Sequence, residues 1–134
     1  MIRYQADLAG VLPEQLSGFC VGWKNPLQPD QLHRVLQNSA YVQLAIEEDS
    51  GQVIGFVNAV SDCIMAAYIP LLEVRPEYQG QGIGTHLLQE MFAQTKHLHM
   101  VDLLCDPPLQ SYYQRVGMHP ATGMLVRRWH PYQF

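Results

Sequence analysis

The chain has 134 residues, 48% of them hydrophobic, and a formal net charge of −4. That size and apolar content suit a single domain (1–134) with a sizeable core, and an acidic balance without a basic cluster argues against nucleic acid as a partner. Cys20, Cys63 and Cys105 are odd in number and widely spaced, which predicts reduced thiols in a cytoplasmic protein, and without about 18 uninterrupted apolar residues no membrane partner is expected.

In chain order, residues 3–8 read as a first strand, and residues 13–19 and 29–37 as short helices, the second opened by Pro29 and Asp30 as a helix N-terminus prefers. CVGWKNPLQP between them reads as loop. Residues 41–47 and 52–60 predict two antiparallel strands around the turn-forming EDSG. Residues 64–74 predict a further strand, and Pro70 makes it either an edge strand or one with a local irregularity. After the glycine-rich QGQGIG, the residues Ile83, Leu87, Leu88, Met91, Phe92 and Thr95 share one helical face, predicting an amphipathic helix from near Gly82. Residues 99–105 predict a buried strand, 107–116 a short helix closed by Gly117, and 124–129 a late strand. The order is that of a mixed α/β domain.

QGQGIG poses a chemical question, because glycine is a poor residue for starting a helix. A loop leading from a strand into a helix gathers the helix's unpaired N–H groups and its positive dipole end at one point, where glycines let a phosphate reach the main chain. The alternative is a tight turn without ligand. GxxxxGK[ST] fails for want of a lysine. GxGxxG, started at Gly80 or Gly82, meets Thr85 or Leu87 at its third glycine, although Asp102 lies about twenty residues on, as a ribose-binding acid would.

The pattern [QR]xxGx[GA] is met by Gln79, Gly82 and Gly84, and the segment resembles the acetyl-CoA-binding motif of the GNAT superfamily of N-acetyltransferases. The likeness extends upstream through LLEVRPEYQGQGIG and downstream to DPPLQSYYQRVGM (106–118), which resembles the family signature NxxAxxFYxxxGF. Tyr112, Tyr113, Gly117 and Met118 take the places of that signature's Phe, Tyr, Gly and final Phe. Asp106 replaces its asparagine, and an ionised carboxylate only accepts hydrogen bonds; Leu109 replaces its alanine. The resemblance implies a mostly antiparallel mixed sheet whose fourth and fifth strands splay apart around acetyl-CoA. It implies pantetheine pairing at Leu72 and Val74 and a pyrophosphate cradle formed by Gln79, Gly80, Gln81, Gly82, Ile83, Gly84 and Thr85.

The implied chemistry is direct attack of a primary amine, on a small molecule or peptide, at the thioester carbonyl. Tyr113 is then the acid for the departing thiolate, with a buried packing aromatic as its alternative, and a main-chain N–H near Leu72 to Val74 serves the oxyanion. Glu73 is the best local base: alternation aims it at the opposite sheet face from Leu72 and Val74, toward the acceptor or toward solvent. Asp62 and Tyr68 are weaker alternatives. Trp23 falls where relatives build an acceptor pocket, or serves as a staple against the core. His86, His97 and His99 complete no recognisable ligand spacing, so no metal is assigned. Assembly as a homodimer is open. The rival reading is a non-catalytic acyl-CoA-binding or sensing domain, which needs the loop but not Tyr113.

Overall fold

The computed structural model describes residues 1–128. Its elements are β1 (Ile2–Gln5), a 3₁₀ turn (Pro13–Leu16), α1 (Pro29–Gln37), β2 (Tyr41–Glu47), β3 (Val53–Ser61), β4 (Ala66–Val74), α2 (Ile83–Gln94), β5 (Met100–Asp102) and α3 (Gln110–Arg115). Further 3₁₀ turns at Pro76–Tyr78 and Pro107–Leu109 precede α2 and α3. The strands form one sheet in sequential order; β1 to β4 pair antiparallel, and β4 pairs with β5 in parallel. This is the fold class expected from the sequence. Among the described residues, no helix is long and apolar enough to cross a membrane.

Two apolar layers hold the sheet from opposite faces. Leu44, Ile46, Val53 and Phe56 pack with Leu16, Leu32 and Leu36 from the first 3₁₀ turn and α1, whereas Ala45, Val57 and Ile69 pack with Ile83, Leu87, Leu88 and Met91 of α2. Because both faces are covered, β2 and β3 are buried almost continuously and do not alternate with solvent. Full burial of Leu87 and Leu88 contributes about 1.5–3 kcal/mol each. At Gly55 a Cβ would stand 3.1 Å from Leu87 Cδ1 and 3.3 Å from Ile83 Cγ2, so a bare backbone lets α2 settle this close to β3.

Several boundaries differ from expectation for local reasons. β1 stops at Gln5 because Asp7 accepts from the Ala9 N–H at 3.0 Å and turns the chain. The first predicted helix is only the 3₁₀ turn Pro13–Leu16. β4 starts at Ala66 because Asp62 Oδ1 accepts from the N–H groups of Ile64, Met65 and Ala66, tying the β3–β4 turn. Of the two readings of Pro70 the local irregularity holds: Asn58 faces Leu71 and Val60 faces Tyr68, so β4 bulges at Ile69 and Pro70. β4 is not an edge strand, since it lies between β3 and β5, although beyond Tyr68 it has no partner on its β5 side.

The predicted strand over 99–105 is corrected more strongly. Only Met100–Asp102 pair, with Met100 and Asp102 exposed, since β5 touches β4 over three residues and then leaves it. Residues 124–128 form no strand, and Trp129 lies outside the described residues.

Candidate active site

The divergence of β4 from β5 opens a cavity of about 630 Å³, within the range of ligand pockets. Leu72 and Val74 line it, and the ladder shows how they face it. Arg75 N–H donates to the Ile54 carbonyl at 2.8 Å, so Arg75, Glu73 and Leu71 turn their main-chain groups toward β3. Strand alternation therefore sends the main-chain groups of Leu72 and Val74 to the open side. One of these is already taken, because Gln79 Nε2 donates to the Val74 carbonyl at 2.9 Å. Gln79 thus ties the glycine loop to the strand end, leaving the Leu72 N–H and C=O and the Val74 N–H exposed to a ligand.

Beyond Gln79, Gly80 and Gly82 have φ values of 79° and 84°, the left-handed region that favours glycine. Gly82 is the N-cap of α2, makes no side-chain cap, and has no atom within 4 Å of where its Cβ would stand. The first helical bond is His86 N–H to Gly82 C=O at 3.0 Å. The N–H groups of Ile83, Gly84 and Thr85 therefore precede the first helical bond, on a turn without acidic residues. Gln81 is exposed in the loop, and Ile83 contributes its amide only, since its side chain is 97% buried in the α2 layer. Gly84 has a different role: a Cβ there would meet Tyr112 Oη at 2.9 Å, so α3 docks directly on the first turn of α2, where Thr85 Oγ1 also lies 3.5 Å from that hydroxyl.

Tyr113 lines the cavity across from β4. Its position is held by the end of α3, where Met118 N–H reaches the Tyr113 carbonyl and Gly117 N–H the Gln114 carbonyl, both at 3.1 Å, with Gly117 at φ 100°. That is a Schellman closure, which glycine alone enters without strain. Burial first, then Tyr112 and Cys105, push the Tyr113 hydroxyl up to about 12. The phenol keeps its proton throughout the working pH range.

Glu73 faces neither bulk solvent nor α2. It lines the cavity from the α1 side, where Cys20 N–H donates to Oε1 at 2.9 Å and the Cys20 thiol to Oε2 at 3.7 Å. Burial raises the Glu73 carboxyl above its ordinary range, against the lowering effect of these two bonds. Burial and the neighbouring Glu73 charge push the Cys20 thiol up to about 11, so it remains a donor. Cys20 itself has φ 62°, a conformation that few non-glycine residues adopt, and nothing in the sequence pointed to it. Its contact with Glu73 pins the loop carrying Trp23, which lines the same cavity, as does Tyr68.

Other predicted residues lie elsewhere. Asp62 does not line the cavity: it builds the β3–β4 turn, its three N–H donors holding it below the ordinary carboxylate range. Tyr41 Oη lies 3.2 Å from His97 Nε2, and His86 stacks on Tyr4 with ring centroids 3.8 Å apart. Neither His97 nor His99 belongs to a strand. Asp106 lines the cavity and its main chain opens the 3₁₀ turn before α3. Cavity residues with no site role assigned from the sequence include Gly18, Leu104 and Arg127.

Comparison with known proteins gives a consistent picture. The sequence model of the Acetyltransferase (GNAT) family matches residues 9–118. A crystal structure of a candidate acetyltransferase from Deinococcus radiodurans R1 is similar at 46% identity, with a TM-score of 0.92 over 95% of this chain and 88% of that one. A GNAT-family acetyltransferase of Streptococcus pneumoniae TIGR4 is 28% identical, with a TM-score of 0.76 over 96% and 99% of the two chains. The uncharacterised N-acetyltransferase ycf52 of Gracilaria tenuistipitata var. liui is 27% identical over 117 residues, covering 83% of this chain. The chain spans 63% of that relative's length.

Proposed function

We propose that this chain, which belongs to the acetyltransferase (GNAT) family, moves an acetyl group from acetyl-CoA to a primary amine by direct transfer. The observation that carries the reading is the open edge of β4: unpaired main-chain groups at Leu72 and Val74 face a cavity that also holds Tyr113 and Glu73. The residues fit the co-substrate. Ile83, Gly84 and Thr85 offer amides to its pyrophosphate, the empty space at Gly82 admits that group, and Leu72 and Val74 suit its pantetheine amides. When bound, acetyl-CoA supplies the activated thioester carbonyl.

The chain's own groups then divide the proton and charge handling. Glu73, in its ionised form, accepts the proton of the attacking amine as the new N–C bond forms. A main-chain N–H on the open edge of β4, that of Leu72 or Val74, steadies the developing oxyanion. The Tyr113 hydroxyl donates a hydrogen bond to the sulfur as the C–S bond breaks. Incubation with a panel of primary amines, following free CoA and measuring acetyl-CoA affinity in parallel, tests this reading. CoA release with stoichiometric N-acetylation supports it; tight binding without turnover across the panel points to a sensing domain instead.

Glu73 makes a pH-dependent forecast. A carboxyl raised by burial stays protonated to higher pH, so kcat/KM should rise through a limb centred above the ordinary carboxylate value, and Glu73→Gln should flatten it with about a tenfold loss. The stability linkage has the matching sign: the fold favours the protonated carboxyl, a contribution present at low pH and lost as pH rises through the raised value. A variant whose pH–rate profile overlays that of the wild type removes Glu73 as the base.

A further inference from the structure

We propose that the acceptor amine also carries an anionic group, a carboxylate or a phosphate, and that Arg127 binds it. This rests on the acyl-transfer reading above only for the word acceptor; the binding site itself stands on the cavity. Three charged side chains line that cavity, Glu73, Asp106 and Arg127, so Arg127 is its one cationic wall among the described residues. An amine arriving as an ammonium is drawn toward the carboxylates, Glu73 and Asp106, whereas the guanidinium offers nothing to a second ammonium and matches an anion. A molecule with an ammonium and an anion therefore uses both signs of charge in the cavity.

The guanidinium is not needed for the phosphates of acetyl-CoA's pyrophosphate, which the amides at the start of α2 serve. Among the described residues Arg127 has no ion pair, whereas Arg75 pairs with Glu77 at 3.0 Å. The segment carrying Arg127 lies against the site: Gly123 approaches the Leu104 side chain, which itself lines the cavity, and Leu125 continues along the cavity wall to Arg127. A guanidinium presents a planar fork of donors matched to carboxylate or phosphate oxygens. Trp23 and Tyr68 in the same cavity supply apolar walls for the body of a small acceptor.

Calorimetry on the CoA-saturated protein tests this without requiring turnover. The probes are matched pairs: 4-aminobutyrate against butylamine for the carboxylate, and O-phosphoethanolamine against ethanolamine for the phosphate. The anionic member of at least one pair should bind about tenfold or more tightly, and Arg127→Gln should bring that ratio toward one, with Arg127→Lys keeping part of it. Which pair responds identifies the anion. Ratios near one in the wild type, a preference that persists in Arg127→Gln, or a loss of CoA affinity equal to the loss of anion affinity would each overturn the proposal, the last by giving Arg127 to CoA. Selective anion binding together with no acetylation of any probe would count against the transfer reading while leaving this one in place.

Discussion

Replacing Gly82 with valine is expected to weaken acetyl-CoA binding by about a hundredfold or more in a protein that still folds. Gly82 sits at φ 84° and ψ 6°, caps α2, and has open space where a side chain would project. A β-branched residue costs about 1–3 kcal/mol in that left-handed conformation. The loop relieves this strain by rotating, which turns the first amides of α2 away from a common point and places methyl groups where phosphate must approach. Charge-assisted hydrogen bonds are worth about 1.5–3 kcal/mol each, so losing two accounts for the factor. Gly84→Val should show another signature. Its side chain collides with Tyr112 Oη, displacing α3, so lower affinity comes with lower stability. Calorimetric titration with acetyl-CoA, beside urea melts of both variants, separates the effects. Wild-type affinity in folded Gly82→Val would remove the loop as the phosphate cradle.

The parts of this site that are legible in sequence are those built from local geometry. Helix α2 shows itself because Ile83, Leu87, Leu88 and Met91 repeat at helical spacing and are all buried, and Gly117 marks the end of α3 through its left-handed closure. The glycine loop is visible for the same reason, since its chemistry depends on main-chain conformation over a few adjacent residues. Glu73 is half legible: alternation separates it from Leu72 and Val74, but its partner Cys20 stands 53 positions away, with no periodic signal connecting the two. Arg127 is similarly silent, as its segment reaches the cavity through tertiary placement, with Leu125 and Leu104 on the same wall, and no local pattern marks it. The apolar composition of residues 99–105 misleads because it suggests burial on both faces. The strands separate there to form the cavity, so apolar residues near β5 serve its walls as well as the core.

Tyr113→Phe keeps the ring and removes the hydroxyl, and turnover is expected to fall by about tenfold to a hundredfold with little change in acetyl-CoA affinity. The raised pKa sets the character of the loss. A phenol near 12 is a weaker acid than a thiol near its usual value of about 8.5, so complete proton transfer to a solution-like thiolate is uphill. In the proposed transfer Tyr113 would then act chiefly by hydrogen-bonding the sulfur while charge builds there, a contribution smaller than that of an acid matched to its task. Two measurements distinguish this from packing. With a chromophoric readout of CoA release under conditions where chemistry limits turnover, Tyr113→Phe should lower kcat, whereas the melting midpoint, set by ring burial and the Tyr112 contact at 5.1 Å between centroids, should move little. The alkaline side of the wild-type profile should show no decline from Tyr113 ionisation near the ordinary phenol value of about 10, because its proton remains bound there. A Tyr113→Phe enzyme turning over within twofold of wild type at saturating substrates would leave the hydroxyl without a catalytic role and make the ring a wall of the cavity.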